Sequence, residues 1–182
     1  TVDAGTLNAR GGAWATSFAA NKVITVNSNA TLDTATHTLG GLGGATRPSQ
    51  IVLNAGTWRL NNEQYLPNSS LTMTGADTTG GGEVRGGGTI NVNASSQTST
   101  FGAGINAAGG TTINVADGSA LNDLQITGYV NGGSPVTIDS TGTTLASGVI
   151  SIGGTLTKLG SGQLNIDATN TMSGNVNINA GA

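Results

Sequence analysis

The sequence has no cysteine, few charged residues and few aromatic rings. Of its 182 residues, 8% are charged and 3% are aromatic. Without cysteine, no disulfide framework can hold the fold together. The low charge argues against a helical bundle or a conventional α/β enzyme, because helices of soluble proteins need charged outer faces. The 31 glycine residues argue the same way, since glycine weakens helix interiors.

Basic patches and long apolar runs are also missing. The formal net charge is −3 and the few charges are scattered, so no nucleic-acid partner is expected. No stretch approaches about 18 consecutive apolar residues, so no membrane contact by this segment is expected. Disorder is not expected either, because Val, Ile and Leu are distributed over the whole length and the net charge is low.

A recurring pattern places an apolar residue before Asn or Asp, which small residues then follow. The stretch Leu53–Trp58, Leu-Asn-Ala-Gly-Thr-Trp, is a clear example. Successive anchor residues of the pattern are about 19 to 28 residues apart, which is the range of a solenoid coil. The anchors are Val2, Val26, Leu53, Met73, Val92, Val115, Ile138 and Ile166.

Apolar and polar residues alternate around the anchors, as in Ile90–Val92 and Ile113–Val115. This alternation predicts strands with one buried face and one polar face, and the glycine-rich tracts between them predict turns. We therefore predict an all-β fold: a single-stranded, right-handed parallel β-helix (β-solenoid) of about eight rungs. Residues 1–182 are expected to form one domain. A stack of antiparallel hairpins is the alternative.

The C-terminal segment carries the most specific motif. Residues 156–164 read Leu-Thr-Lys-Leu-Gly-Ser-Gly-Gln-Leu, residues 170–174 read Asn-Thr-Met-Ser-Gly, and residues 179–181 read Asn-Ala-Gly. This segment resembles the autotransporter-associated β-strand repeat of bacterial surface proteins. That pattern is Leu-x-Lys-x-Gly-x-Gly-x-Leu, then Asn-Thr-Tyr-x-Gly, then a strand that ends in Asn-Ala-Gly; here Met172 replaces the usual Tyr.

The resemblance is close over residues 155–182, and the remaining chain shares its style without the full motif. It implies a passenger-type β-helix that is extracellular or exposed on the bacterial cell surface. It also implies that residues 1–182 are a segment of a longer repeat array.

An Asn or Asp follows most anchors. These side chains could form a carboxylate ladder for calcium, or they could cap turns and hydrogen-bond to one another along a column. The second interpretation is favoured, because most members are neutral and calcium sites need several charged oxygens. No metal and no cofactor is predicted. The predicted structural column consists of Asp3, Asn27, Asn54, Asn93, Asp139, Asp167 and Asn179.

No catalytic residue is predicted, and the chain is not expected to be an enzyme. A polysaccharide-degrading β-helix needs two or three acidic residues that converge in one groove. The candidates for such a groove are Glu63, Asp77 and Glu83 with Arg59 and Arg85. The low density of acidic residues argues against this alternative.

Three aromatic residues are weak candidates for glycan contact: Trp58, Tyr65 and Tyr129. Trp58 alternates with Leu60, which favours burial of its ring. Two further expectations concern other rings. Trp14 and Phe18 are predicted to cover the side of the rod, and His37, the single histidine, is predicted to be a polar strand residue.

The predicted function is that of a structural segment in surface extension, adhesion or filament formation. Neither end of the sequence shows the polar cap that a solenoid needs against edge pairing. End-to-end self-association, with other copies or with neighbouring repeats, is therefore expected. A glycan or another host-surface ligand is a further expected partner, and a glycan-binding or polysaccharide-degrading β-helix is the alternative function.

Overall fold

A computed structural model describes residues 1–9, 22–34, 39, 48–66 and 69–181. Within these residues the chain forms short β-strands and no helix. No helix in this part of the chain is therefore long and apolar enough to cross a membrane. The predictions for Trp14, Phe18 and His37 lie outside the described residues.

The strands form three parallel sheets, which we call A, B and C. Sheet A contains β2 (Val23–Val26), β4 (Gln50–Asn54), β7 (Ser70–Thr74), β10 (Thr89–Val92), β13 (Thr111–Val115), β16 (Val136–Ser140), β19 (Leu156–Leu159) and β21 (Val176–Ile178). Sheet B contains β1 (Gly5–Asn8), β3 (Ala30–Asp33), β5 (Thr57–Arg59), β8 (Asp77–Thr79), β11 (Ser99–Phe101), β14 (Leu124–Ile126), β17 (Thr144–Ala146) and β20 (Leu164–Ile166). Sheet C contains β6 (Gln64–Tyr65), β9 (Glu83–Arg85), β12 (Gly104–Asn106), β15 (Val130–Gly132) and β18 (Ile150–Ile152).

Five coils in the middle of the chain visit the three sheets in turn and add one strand to each, as β7, β8 and β9 do. Each strand pairs in parallel with its counterpart one coil later. The step is 19 residues where Ser70 pairs with Thr89 and 27 residues where Val23 pairs with Gln50. The predicted parallel β-helix is thus confirmed over antiparallel hairpins, whereas its right-handedness stays a prediction.

Alternation within each strand builds the core. In β10, Ile90 and Val92 are buried while Thr89 and Asn91 face outward. Because the strands pair in parallel and in register, each inward side chain lies over the inward side chain of the next coil, and apolar residues form columns along the core. Burial of one such aliphatic side chain contributes about 1.5–3 kcal/mol. One inward column of sheet A runs through Ile24, Ile51, Leu71, Ile90, Ile113, Ile138, Lys158 and Ile178.

Sheet B holds the large rings of the core. Trp58 and Phe101 are both fully buried in one inward column, with the smaller Thr78 between them. The indole N–H of Trp58 donates a hydrogen bond to Oγ1 of Thr34 at 3.0 Å, so the buried polar atom has a partner. A small residue between two large ones lets a narrow interior hold both without overlap.

The turn before β18 depends on glycine. A Cβ at Gly148 would overlap the carbonyl oxygen of Gly128, one coil earlier. The backbones of consecutive coils therefore approach each other more closely than any side chain permits. The close approach therefore requires glycine at this position.

The anchor pattern identifies the right column only as far as Val115. From Val115 the column continues to Ser140, whereas the predicted anchor Ile138 lies in the neighbouring inward column. The last predicted anchor, Ile166, belongs to β20 of sheet B. The prediction was wrong there because a polar residue, Ser140, occupies the position where the pattern requires an apolar one.

Candidate functional site

Four of the seven predicted Asx residues share one position at the end of the sheet A strands: Asp3, Asn27, Asn54 and Asn93. The amide of Asn27 donates to Oδ1 of Asp3 at 2.7 Å, and that of Asn54 donates to Oδ1 of Asn27 at 3.2 Å. Asn93 donates to the hydroxyl of Thr74, which fills the intervening coil, at 3.1 Å. These contacts link consecutive coils along the edge of sheet A.

The other three predicted members lie elsewhere, so a single column of seven is wrong. Asp139 pairs in register with Asn114, two positions before the ladder, and Asn179 follows the residue that pairs with Lys158. Asp167 follows β20 and therefore lies beside sheet B. The local sequence is the same in all seven cases, but the strands that precede them differ in register or in sheet. Within the described ranges, no group of three or more His, Cys, Asp or Glu side chains could hold a metal ion.

A polar groove of about 440 Å³ runs over the outer face of sheet A. Asn91 and Asn114 form part of its floor, and the amide of Asn114 donates to Oδ1 of Asn91 at 2.8 Å. Thr72 and Asp139 continue the same outward column on either side. The groove therefore offers amides, hydroxyls and a carboxylate, of which Asn91 and Asn114 already bond to each other, and no aromatic ring lines it.

The three aromatic candidates separate into one buried and two surface residues. Trp58 has no exposed surface, so its ring offers no face to a sugar. Tyr65 and Tyr129 both lie on the outer face of sheet C, and Tyr129 is 38% exposed. Sheet C is therefore the face on which aromatic and charged side chains meet.

A depression of about 250 Å³ lies beside Tyr129. It is formed by two stacked turns and by the first residues of sheet C. Glu63 and Glu83 are one coil apart, as the register of β6 with β9 requires, so both carboxylates reach the same depression. Its lining residues are Asn61, Asn62, Glu63, Gly81, Gly82, Glu83 and Tyr129.

Glu83 is the buried anchor of this site, with 8% of its surface exposed. Its Oε2 accepts a hydrogen bond from the Tyr129 hydroxyl at 2.9 Å, and its Oε1 accepts one from the Asn106 amide at 3.0 Å. Burial raises the pKa of Tyr129 to about 12, and the hydrogen bond to Glu83 and the nearby carboxylate charges act in the same direction. Tyr129 is thus a neutral donor at physiological pH, fixed at its far end.

Glu63 organises the opposite side. Its Oε1 accepts from Nη1 of Arg85 at 3.0 Å, and its Oε2 accepts from the Tyr65 hydroxyl at 3.0 Å. The hydrogen bond to Glu63 also raises the pKa of Arg85. The Arg85 guanidinium lies 5.6 Å from the centre of the Tyr65 ring, within the range of a cation–π contact. Glu63, Tyr65 and Arg85 therefore form one connected group.

Of the five candidates for a catalytic groove, the structure brings Glu63, Glu83 and Arg85 together at sheet C and places Arg59 and Asp77 on sheet B. Arg59 forms an ion pair with the fully buried Asp33 on sheet B, and Asp77 is exposed on the same sheet. Glu63 and Glu83 remain together on sheet C. Both accept hydrogen bonds from neighbouring side chains, so the arrangement is suited to hold a polar ligand by hydrogen bonds.

Sequence reasoning missed the buried Lys158, which takes the place of isoleucine in a core column. It is 1% exposed, and its ammonium donates to the carbonyl oxygens of Leu159, of Gly160 at 2.9 Å and of Ala180 at 3.5 Å. Burial lowers the pKa of Lys158, and the charge of Asp139 opposes this effect. Lys158 lies two residues after Leu156 in the same strand, so alternation places both side chains on the inward face. That spacing is the sequence signal that could have identified it.

Comparisons with known proteins identify no relative of this chain. No family model, no curated protein and no solved structure matches it.

Proposed function

We propose that this chain is a structural β-solenoid segment of a bacterial cell-surface or secreted protein, in which consecutive coils extend the molecule and stack end to end. The resemblance of residues 155–182 to the autotransporter-associated repeat supports the location and the passenger-like role. The absence of cysteine is compatible with an extracellular product.

One observation carries the end-to-end stacking. β21 pairs with β19, so that Val176 occupies the column position of Leu156 and Ile178 that of Lys158. Leu156 and Lys158 are each 1% exposed, whereas Val176 is 50% and Ile178 is 64% exposed. The edge strand therefore presents apolar column residues together with unpaired backbone groups, which is the surface that a further strand covers.

The covering element in this proposal is a further coil of the same kind, supplied by a second copy or by adjoining repeats. Such a contact is head-to-tail and does not close on itself, so it propagates into a rod. Low overall charge leaves little repulsion to oppose it.

Sedimentation velocity over a concentration series, together with electron microscopy, tests the proposal. We expect the chain to form rods that lengthen with concentration, and Ile178→Glu to shift the population to monomers. The matched control is Leu121→Glu, because Leu121 is 90% exposed but lies outside the strands. A chain that stays monomeric at its highest soluble concentration, with Ile178→Glu without effect, would contradict end-to-end stacking.

A further inference from the structure

We propose that the depression on sheet C binds one neutral sugar residue of an oligosaccharide, with Tyr129 as the stacking platform and Asn61, Asn62 and Glu63 as hydrogen-bonding groups. This inference gives the segment a ligand and does not depend on end-to-end stacking. A volume of about 250 Å³ is below the range of drug-sized pockets, which suits a single ring.

The platform is held rigidly. The phenol end of Tyr129 lies directly over Gly104, where a Cβ would overlap ring atoms Cζ and Cε2. Its hydroxyl reaches Glu83, which belongs to the strand beyond Gly104. The phenol end of the ring is therefore held by a close contact and by a hydrogen bond before any ligand arrives, and binding loses little side-chain entropy. Tyr129 is 38% exposed, so it still offers apolar surface to the C–H bonds of a pyranose.

Polar groups lie next to this apolar surface. Asn61, Asn62 and Glu63 form the turn before β6, and all three line the depression. The side chain of Glu63 is 38% exposed although it bonds to Arg85 and Tyr65, so its carboxylate has room for a sugar hydroxyl. An ordered carboxylate and two amides beside an aromatic ring match the alternation of hydroxyl and C–H groups on a sugar.

Charge selects against anionic sugars. Glu63 and Glu83 carry two negative charges in the depression, and Arg85 compensates one of them. A uronate or sulfated residue would bring a further negative charge next to Glu83, which is buried and cannot move away. Like-charge juxtaposition costs binding energy, so neutral hexoses are the favoured class.

The polar groove of sheet A is the weaker candidate for the same ligand. It is larger, at about 440 Å³, but no aromatic ring lines it, and its amides Asn91 and Asn114 already bond to each other. A sugar that displaced this amide pair would have to break its hydrogen bond, and it would find no ring on which to stack.

Isothermal titration with cellohexaose, mannohexaose and galactohexaose, and with hexagalacturonate as the anionic probe, tests the proposal. We expect at least one neutral probe to bind and hexagalacturonate to bind more weakly. Tyr129→Ala should lower the affinity by about tenfold, the factor that loss of one aromatic contact produces. Tyr129→Phe keeps the ring but releases its anchor, so a smaller loss is expected.

A second variant blocks the site without touching Tyr129. A Cβ at Gly81 would meet no atom within 4 Å, so Gly81→Leu should fill the depression and leave the fold intact. Its matched control is Gly133→Leu, because Gly133 has equally open surroundings on the turn after β15. Thermal unfolding of each variant checks that the fold persists.

Three results would overturn the inference: no binding of any neutral probe, affinity unchanged in both Tyr129→Ala and Gly81→Leu, or tighter binding of hexagalacturonate. Each is distinguishable from a failure of end-to-end stacking, because the stacking contacts lie at β21 and are measured by sedimentation. Binding with a monomeric chain would support the sugar site alone.

Discussion

β19 and β21 have almost the same sequence pattern and occupy adjacent places in one sheet, yet one is buried and the other is not. Leu156 and Lys158 of β19 are each 1% exposed, and their register partners Val176 and Ile178 are half-exposed or more. Alternation decides which face of a strand points inward. Burial itself needs a coil on both sides, and β19 has one on each side while β21 has β19 alone.

Sheet B shows the same gradient. Ala146 is buried, but its register partner Ile166 in the next coil is only partly buried, although isoleucine is the more apolar residue. Residues 155–182 thus contain the buried β19, the partly buried β20 and the exposed β21. A repeat motif specifies a coil that stacks, and the stacking partner supplies the stability.

The largest expected effect is a difference in unfolding free energy between a substitution in the covered coils, which have a coil on both sides, and one in the last coil, which contains β21. Phe101→Ala should lower the free energy of unfolding by about 3–5 kcal/mol, because Phe101 is fully buried and leaves a cavity. Ile178→Ala should change it by less than about 0.5 kcal/mol, since that side chain is mostly exposed in the isolated chain. Chemical denaturation of both variants at low concentration measures the difference.

Varying the protein concentration provides a control for this pair of variants. If the last coil is covered by another copy, the cost of Ile178→Ala should grow as the concentration rises, whereas that of Phe101→Ala should stay constant. Equal losses of unfolding free energy in the two variants at low concentration would show that β21 is buried in solution. That result would contradict the difference between the last coil and the covered coils.

Lys158 marks the boundary between the two regions and should impose a pH dependence. Its pKa is lowered below 10.5 in the folded state, so the unfolded chain binds more protons between the folded pKa and 10.5. The free energy of unfolding should therefore rise as the pH is raised through that window. Lys158→Met should remove this rise.

At neutral pH, Lys158→Met should lie within about 2 kcal/mol of the wild type, because three lost hydrogen bonds and the relieved burial of a charge oppose each other. The matched control is Lys22→Met, because Lys22 is exposed. Denaturation curves across the alkaline range test both statements. If the unfolding free energy of Lys158→Met still rose with pH to the same extent, another titrating group would be the cause.

Thr144 allows the opposite change, a stabilisation within the covered coils. It is fully buried between Leu124 and Leu164, and its Oγ1 has no hydrogen-bond partner. Thr144→Val keeps the shape and removes the unpaired hydroxyl, so it should raise stability by about 1 kcal/mol. Thr137→Val on the outer face of sheet A is the control and should change little. Destabilisation by Thr144→Val would mean that the hydroxyl has a partner, such as a buried water.

The smallest expected effect is a shift in the titration midpoint of Tyr129, which reports how its ring packs in the covered coils. In a Tyr65→Phe background, the ultraviolet titration of the remaining tyrosine should have a midpoint near 12, against an ordinary value of 10.0. Glu83→Gln should lower the midpoint only partly, because burial is the larger cause and remains. A midpoint of 10.0 in a chain that circular dichroism shows to be folded would contradict the packing of Tyr129 over Gly104.

The strands and their inward faces could be predicted from the sequence because alternation is a local property. Ile90–Val92 and Ile113–Val115 are predicted as strands and are found as such. The range of coil lengths could be predicted for the same reason, since the apolar anchor residues recur in one column from Val26 through Val115. The prediction failed at Ser140 and Lys158, where a polar residue is buried. A pattern defined by apolar anchors cannot detect a polar residue in the core.

The candidate site could be predicted only in part. Tyr129 and Tyr65 were predicted as candidates with Trp58, and Glu63, Glu83 and Arg85 as a charged group. Their common location on sheet C depends on coil lengths that vary from 19 to 27 residues, which no single period predicts. Tyr129 and Glu83 are 46 residues apart in the chain and are joined by a hydrogen bond.

By itself, the sequence determined the kind of structure: short strands, glycine turns, a narrow aliphatic core and little charge with which to do chemistry. These follow from residue types and local periodicity, which need no knowledge of neighbours. The tertiary structure alone decided which strands join the same sheet, that Tyr129 is exposed beside Glu83, and that a lysine stands in a core column. Each of these depends on the register between coils, and register is set by the length of every preceding turn.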